Sequence, residues 1–192
     1  MKTQRANIID VTRHLFSRGG YDGFTMRTLA RESGLSLSSI YHYYEDKNVL
    51  LKAVFDETST QLGKKRATLP KCDSATEELK QRIKFQFDNA EDILFVLRYY
   101  LHFRSEFPKL ERGFLNDKAY LHIKEVLERG VASHEFTLSQ SVDDEAKVIA
   151  HSINGFVLEY FPESPSEDEY SRVVDSIHTF LVRSLTNKAV TV

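Results

Sequence analysis

Residues 25–47 read TMRTLARESGLSLSSIYHYYEDK. Thr25 offers a side-chain acceptor for the backbone N–H groups that a following helix leaves unpaired, and Met26 to Ser33 supply that helix, with Leu29 and Ala30 inward. Gly34 stops it, because glycine enters the left-handed backbone region without the steric cost that a Cβ brings. Ser36 or Leu37 opens a second short helix that runs through Ile40 to Tyr44. Two short helices across a glycine turn have helix-turn-helix spacing: Ala30 lets them approach and Ile40 anchors the second to a core. The outward side then carries Ser36, Leu37, Ser38, Ser39, Tyr41 and His42. Their hydroxyl, imidazole and apolar groups suit the base edges and phosphates of a DNA major groove.

Upstream, Ile8, Val11, Thr12, Leu15 and Phe16 recur at helical spacing and predict a helix over about 3–18, ended by Gly19-Gly20. Downstream, Glu45-Asp46 caps a helix that begins near Lys47, and Val49, Leu50, Ala53, Val54 and Leu62 carry it to about Leu69. Pro70 cannot continue it, and Ser74-x-x-Glu77 is a capping box for the next. Further helices are expected at about 74–88, 91–106, 109–133, 143–161 and 167–186, with breaks at Pro108, at Gly130 to Ser141 and at Pro162 to Ser166. The expectation is an all-α chain of about nine helices: a helix-turn-helix domain over 1–47, a connecting helix over 48–69, and a helical body over 70–192.

Phe16 with Gly19-Gly20-Tyr21, Thr25, Leu29-Ala30, Ser33-Gly34-Leu35-Ser36, Ser39 through Tyr44, and Lys47 with Leu50-Leu51 stand in one order and spacing. As a set they make residues 6–57 resemble the N-terminal domain of TetR-family transcriptional regulators. The resemblance implies DNA binding by a homodimer and control by a small molecule held in the larger domain. By position it makes Thr25, Tyr43 and Lys47 phosphate contacts and sets Leu37 and Ser38 at base-reading positions, with Ser39, Tyr41 and His42 near base or backbone. Leu37 and Ser38 offer little bidentate hydrogen bonding, so specificity is expected in part from thymine methyl contact, from Arg27 and from DNA shape.

Charge agrees with that division. Residues 1–66 hold eleven Lys/Arg against seven Asp/Glu, whereas the remainder is acidic, within a chain of 192 residues and net charge −2. Lys64-Lys65-Arg66 complements a helix C-terminus and need not meet DNA. A single cysteine, Cys72, excludes an internal disulfide and a cysteine-based zinc site, and no run approaches the ~20 apolar residues of a membrane helix. The chain therefore reads as cytoplasmic, with no membrane partner, cofactor or metal. Seven scattered histidines, with neither a His-Glu-x-x-His nor a glycine-rich phosphate loop, argue against an enzyme.

Nine of the 22 aromatics fall within residues 85–120, and the nearly all-apolar stretch from Ile93 to Phe103 includes Arg98 and His102. Such a helix is either core or pocket wall. With the resemblance, the candidate lining is Phe95, Arg98, Tyr99, His102, Phe103, Phe114, His122 and Asn154, for a small apolar or amphipathic effector that releases a repressor from a palindromic operator. A DNA-binding regulator that answers to no small molecule is the alternative. Wide apolar stripes on the last two helices supply a candidate dimer interface of Ile149, Ile153, Phe156, Val157, Tyr170, Val174, Ile177 and Leu181.

Overall fold

The computed structural model describes residues 3–104, 114–161 and 166–186, and for 114–119 and 160 the backbone alone. In chain order the helices are α1 (Gln4–Gly23), α2 (Met26–Ser33), α3 (Leu37–Tyr43), α4 (Lys47–Ala67), α5 (Ala75–Asp88), α6 (Ala90–Phe103), α7 (Phe114–Ala132), α8 (Val142–Tyr160) and α9 (Glu167–Thr186). The protein is all-α, with no strand among the described residues. The expected breaks at Pro108 and Pro162 lie outside them.

Local chemistry sets most boundaries. Thr3, Ser36, Ser74 and Ser141 are N-caps whose hydroxyls accept from the N–H of Ala6, Ser39, Glu77 and Asp144. Asp46 Oδ1 accepts from the N–H groups of Asn48 and Val49 at 2.7 and 2.9 Å and so starts α4. One boundary departs from expectation. Gly20, at φ 62° and ψ −162°, kinks α1 but does not end it, and the helix resumes to Gly23.

The described residues among Met1–Ala67 and Glu91–Lys109 form one compact unit, and those among Thr68–Ala90 and Leu110–Val192 form a second. In the first, α1 to α4 and α6 share a core of Ile8, Phe16, Phe24, Leu29, Ile40, Leu50, Leu51, Val54, Phe55, Phe95, Tyr99 and Phe103. Burying each such side chain stabilises by roughly 1.5–3 kcal/mol. Residues 91–104, expected in the larger domain, thus pack with the helix-turn-helix, because the aromatic face of α6 completes its core. Buried Asp92 fastens α6, taking Arg13 Nε at 3.3 Å and Lys65 Nζ at 3.1 Å. In the second unit, α5, α7, α8 and α9 enclose Leu79, Ile83, Ile123, Val126, Leu127, Phe136, Ala146, Ile149, Ile153, Val174, Ile177, Leu181 and Leu185.

Candidate nucleic-acid interface

The turn between α2 and α3 depends on Gly34, whose φ of 68° and ψ of 18° place it in the left-handed region. Its N–H reaches Ala30 O, and the N–H of Leu35 reaches the same carbonyl at 3.2 Å, closing α2. Leu29 and Ile40 are wholly buried, one from each helix, and fix the pair on the core. Opposite them, Thr25, Arg27, Ser36, Ser38, Tyr41, His42 and Tyr43 are exposed, while Leu37, Ser39 and Lys47 are half-buried.

Hydrogen bonds hold this surface in shape before any ligand meets it. Thr25 and Thr28 form a reciprocal capping box: the Thr28 N–H donates to Thr25 Oγ1 and the Thr25 N–H to Thr28 Oγ1, both at 3.0 Å. Ser36 Oγ lies 2.9 Å from Ser38 Oγ and 2.7 Å from Ser39 Oγ, so three hydroxyls form one cluster at the start of α3. Tyr43 Oη donates to Gln4 Oε1 at 3.3 Å, tying α3 to α1. Leu37 packs against the core, so only part of it faces outward.

Lys47 is the most constrained of these residues. Its Nζ donates to Tyr21 O at 2.6 Å and sits 3.6 Å from the centre of the Tyr21 ring. Burial lowers its pKa, with Asp22 opposing. Tyr21 also stacks on His102 at 3.7 Å between centroids and 11° between planes. The phenol thus lies between an imidazole from α6 and the ammonium that opens α4, an arrangement the local sequence gives no sign of.

The candidate effector residues do not form one described site. Phe95, Tyr99 and Phe103 are buried core of the first unit, packed with Phe16, Tyr21 and Phe55. Arg98 Nη1 donates to Arg18 O at 2.6 Å, and His102 covers Tyr21. His122 on α7, beside Glu125, and Asn154 on α8 belong to the second unit, and the Phe114 side chain is outside the described residues. Helical spacing is identical for core and pocket wall, and here the spaces beside these rings are filled by other rings.

The dimer candidates divide by burial in the single chain. Ile149, Ile153, Val157, Val174, Ile177 and Leu181 are buried within their own unit, and the Tyr170 hydroxyl donates to Asp88 and Lys84 O. Only Phe156 remains exposed, because the inner part of each wide stripe is used by α5 and α7. The outer edge is the exposed one. Phe180 is 71% exposed, and with Phe156, Ser152 and Arg172 it borders a groove of about 620 Å³ between α8 and α9. Among the described residues no three or more His, Cys, Asp or Glu are placed to hold a metal, and no helix is long and apolar enough to cross a membrane.

A short helix pair with a polar outer face, mounted on a helical scaffold, defines a helix-turn-helix protein. Residues 8–54 match the tetR family of bacterial regulatory proteins. The HTH-type transcriptional repressor Rv1474c of Mycobacterium tuberculosis is 32% identical over 63 residues, 33% of this chain and 34% of the relative. The chain therefore spans about a third of the length of the curated relatives it matches. Two solved structures share the fold. A protein from Saccharomonospora viridis in complex with choline has a TM-score of 0.71 at 16% identity, over 96% of this chain and 98% of that one. FadR from Bacillus subtilis in complex with stearoyl-CoA has a TM-score of 0.61 at 18% identity, over 93% and 98%.

Proposed function

We propose that this protein is a dimeric, ligand-responsive transcriptional repressor that binds a palindromic operator and is released by a small apolar or amphipathic effector. The observation that carries the reading is the exposed polar face of α2 and α3, with Thr25, Arg27, Ser36, Ser38, Tyr41, His42 and Tyr43 held on a buried Leu29 and Ile40. On DNA, Thr25, Tyr43 and Lys47 meet phosphates while Leu37, Ser38 and Ser39 meet base edges, Leu37 by its outward methyls. A second copy seated against Phe156 and Phe180 sets two such faces about 34 Å apart, in successive major grooves. Regulators of the same fold complexed with choline and with stearoyl-CoA support an effector-bound state. An effector acts by binding the DNA-competent and released conformations unequally. The protein is a cytoplasmic regulator rather than an enzyme.

Fluorescence anisotropy on the DNA upstream of its own gene, against scrambled DNA and across a salt series, tests the reading. Preference for one palindromic segment, with log affinity falling by about 0.9 per log unit of salt for each phosphate met, is the expected result. Equal, weak binding to both DNAs overturns it. A constitutive regulator is the second reading, favoured by the ring packing around Phe95, Tyr99 and Phe103. Operator affinity that no amphiphile moves would select it.

A further inference from the structure

Helix α5 carries a row of polar side chains one turn apart, Glu78, Arg82 and Gln86, only 4%, 8% and 7% exposed. They lie beside Leu79 and Ile83, which are wholly buried, on a helix that packs against α7, α8 and α9. Glu78 is shared. Its Oε1 accepts from Arg82 Nη2 at 2.8 Å and its Oε2 from Arg129 Nη2 at 2.5 Å. Arg129 Nη1 also donates to Cys72 O, at 3.4 Å, and the Arg129 side chain is 39% exposed, so water answers part of its charge. Two guanidinium groups on one carboxylate leave the cluster one positive charge in excess, and the buried half of that excess is Arg82.

No group among the described residues meets Arg82 Nε, Arg82 Nη1 or Gln86 Oε1. Buried N–H groups on a charged donor are costly to leave unanswered, and a planar guanidinium is shaped to answer carboxylate or phosphate oxygens. Arg98, the arginine among the effector candidates read from the sequence, has an N–H committed to the Arg18 carbonyl and so is less suited to the task. We propose that Arg82, with Gln86, is an effector subsite inside the second unit that takes the anionic head, carboxylate or phosphate, of a small amphiphile. The inference rests on the ligand-responsive reading above and gives its effector a charge. Arg82 Nε and Nη1 donate to the anion, Gln86 Oε1 accepts from a hydroxyl or N–H on the same head, and aliphatic neighbours such as Leu79 and Ile83 require the remainder to be apolar.

The test titrates wild-type and Arg82→Met proteins with dodecanoate, dodecyl phosphate and dodecan-1-ol by calorimetry. The wild type is expected to bind at least one anion about tenfold or more tighter than the alcohol, as charge-assisted hydrogen bonds require. The tighter anion identifies the head. Arg82→Met should remove the preference by weakening the anion and leaving the alcohol unchanged, and Gln86→Leu should weaken the same anion less. The unliganded Arg82→Met protein should lose some thermal stability, since Glu78 retains Arg129 but its Oε1 loses the Arg82 Nη2 donor, and its unchanged binding of the alcohol is the control for folding. Should it fold poorly, Arg82→Gln makes the same comparison. Equal binding of anion and alcohol by the wild type, no binding of any probe, or undiminished preference in the variant would each overturn the subsite. Operator anisotropy in parallel keeps the two readings apart. Probes that bind through Arg82 without moving operator affinity leave the subsite standing and remove the regulatory role, whereas a responsive operator with Arg82-independent binding does the reverse.

Discussion

Gly130 lies in the last turn of α7, and a Cβ built there would stand 2.0 Å from Phe136 Cδ2, 2.4 Å from Cε2 and 2.8 Å from Cγ. The ring belongs to the core of the second unit and is 3% exposed. It is brought there by a tight reversal in which His134 takes a φ of 61° and the Phe136 N–H donates to Gly130 O at 2.9 Å. Two effects oppose each other in Gly130→Ala. Alanine is the better helix former by about 1 kcal/mol. Against that, carbon contacts need about 3.5 Å, so the ring must retreat by roughly 1.5 Å in a filled core while its own backbone is bonded to residue 130. Overpacking of this kind costs about 1–3 kcal/mol, and expelling a Phe about 3–5 kcal/mol, so a net loss of about 2 kcal/mol is expected. The thermal midpoint should drop by roughly 4–8 °C. Thermal melts and urea denaturation followed by circular dichroism measure the midpoint and the free energy, with Gly19→Ala as control: nothing lies within 4 Å of a Cβ there, and a gain of about 0.5–1 kcal/mol is expected. Gly130→Ala combined with Phe136→Leu should recover part of the loss. A single variant as stable as the wild type would refute the reasoning, since the ring would then have space the structure denies it.

Lys47→Met should reduce the salt slope of operator binding by about 0.9 for each half-site, and an unchanged slope would mean that Tyr21 O keeps the ammonium from DNA. Glu135 receives the Ser74 hydroxyl and the N–H groups of Ala75 and Thr76, which hold its pKa at about 2, below the ordinary carboxylate value of 4.5. A lowered folded-state pKa stabilises above the ordinary value and is lost as pH falls through the folded one. Glu135→Gln should thus lower stability by about 1 kcal/mol at neutral pH, with the gap to wild type closing between about pH 5 and pH 2 in thermal melts. Phe180→Glu should shift the sedimentation coefficient from dimer to monomer and weaken operator binding, while leaving the helical circular dichroism unchanged, because the side chain is 71% exposed in the single chain.

The helix-turn-helix was legible because its determinants are local. Thr25, Gly34, Ser36 and Asp46 each act within three or four residues, and Leu29 and Ile40 are apolar at helical spacing. Ser74 was legible as a cap for the same reason, but the carboxylate completing that cap is Glu135, far along the chain and beyond any local pattern. The aromatic spacing of α6 was visible and its partner was not, since Phe95, Tyr99 and Phe103 would look alike against a ligand or against Phe16 and Phe55. The last two helices showed a wide stripe without showing which edge is spent inside the chain, and Phe156 and Phe180 are its exposed members. A signal for Arg82 and Gln86 was present. They stand beside Ile83 on the inward side of α5, where polar residues need partners.

If an effector acts as proposed, the step from α5 to α6 is one of the covalent crossings between the two units. Helix α5 belongs to the second unit and α6 to the first, and only Asn89 stands between them. Asn89 is itself bound back onto α5, its N–H reaching Phe85 O at 3.2 Å and its Nδ2 the same carbonyl at 2.9 Å. One residue spans at most about 3.5 Å, so any larger displacement of the C-terminal end of α5 either carries α6 with it or breaks this cap. Helix α6 offers little slack in turn, because Asp92 is ion-paired to Arg13 and Lys65, Arg98 is bound to the Arg18 carbonyl, and His102 stacks on the ring that also supports Lys47. A hundredfold loss of operator affinity needs an effector to favour the released state by only about 2.7 kcal/mol. That is comparable to one or two charge-assisted hydrogen bonds made in one state and not in the other, the number of donors Arg82 has to offer.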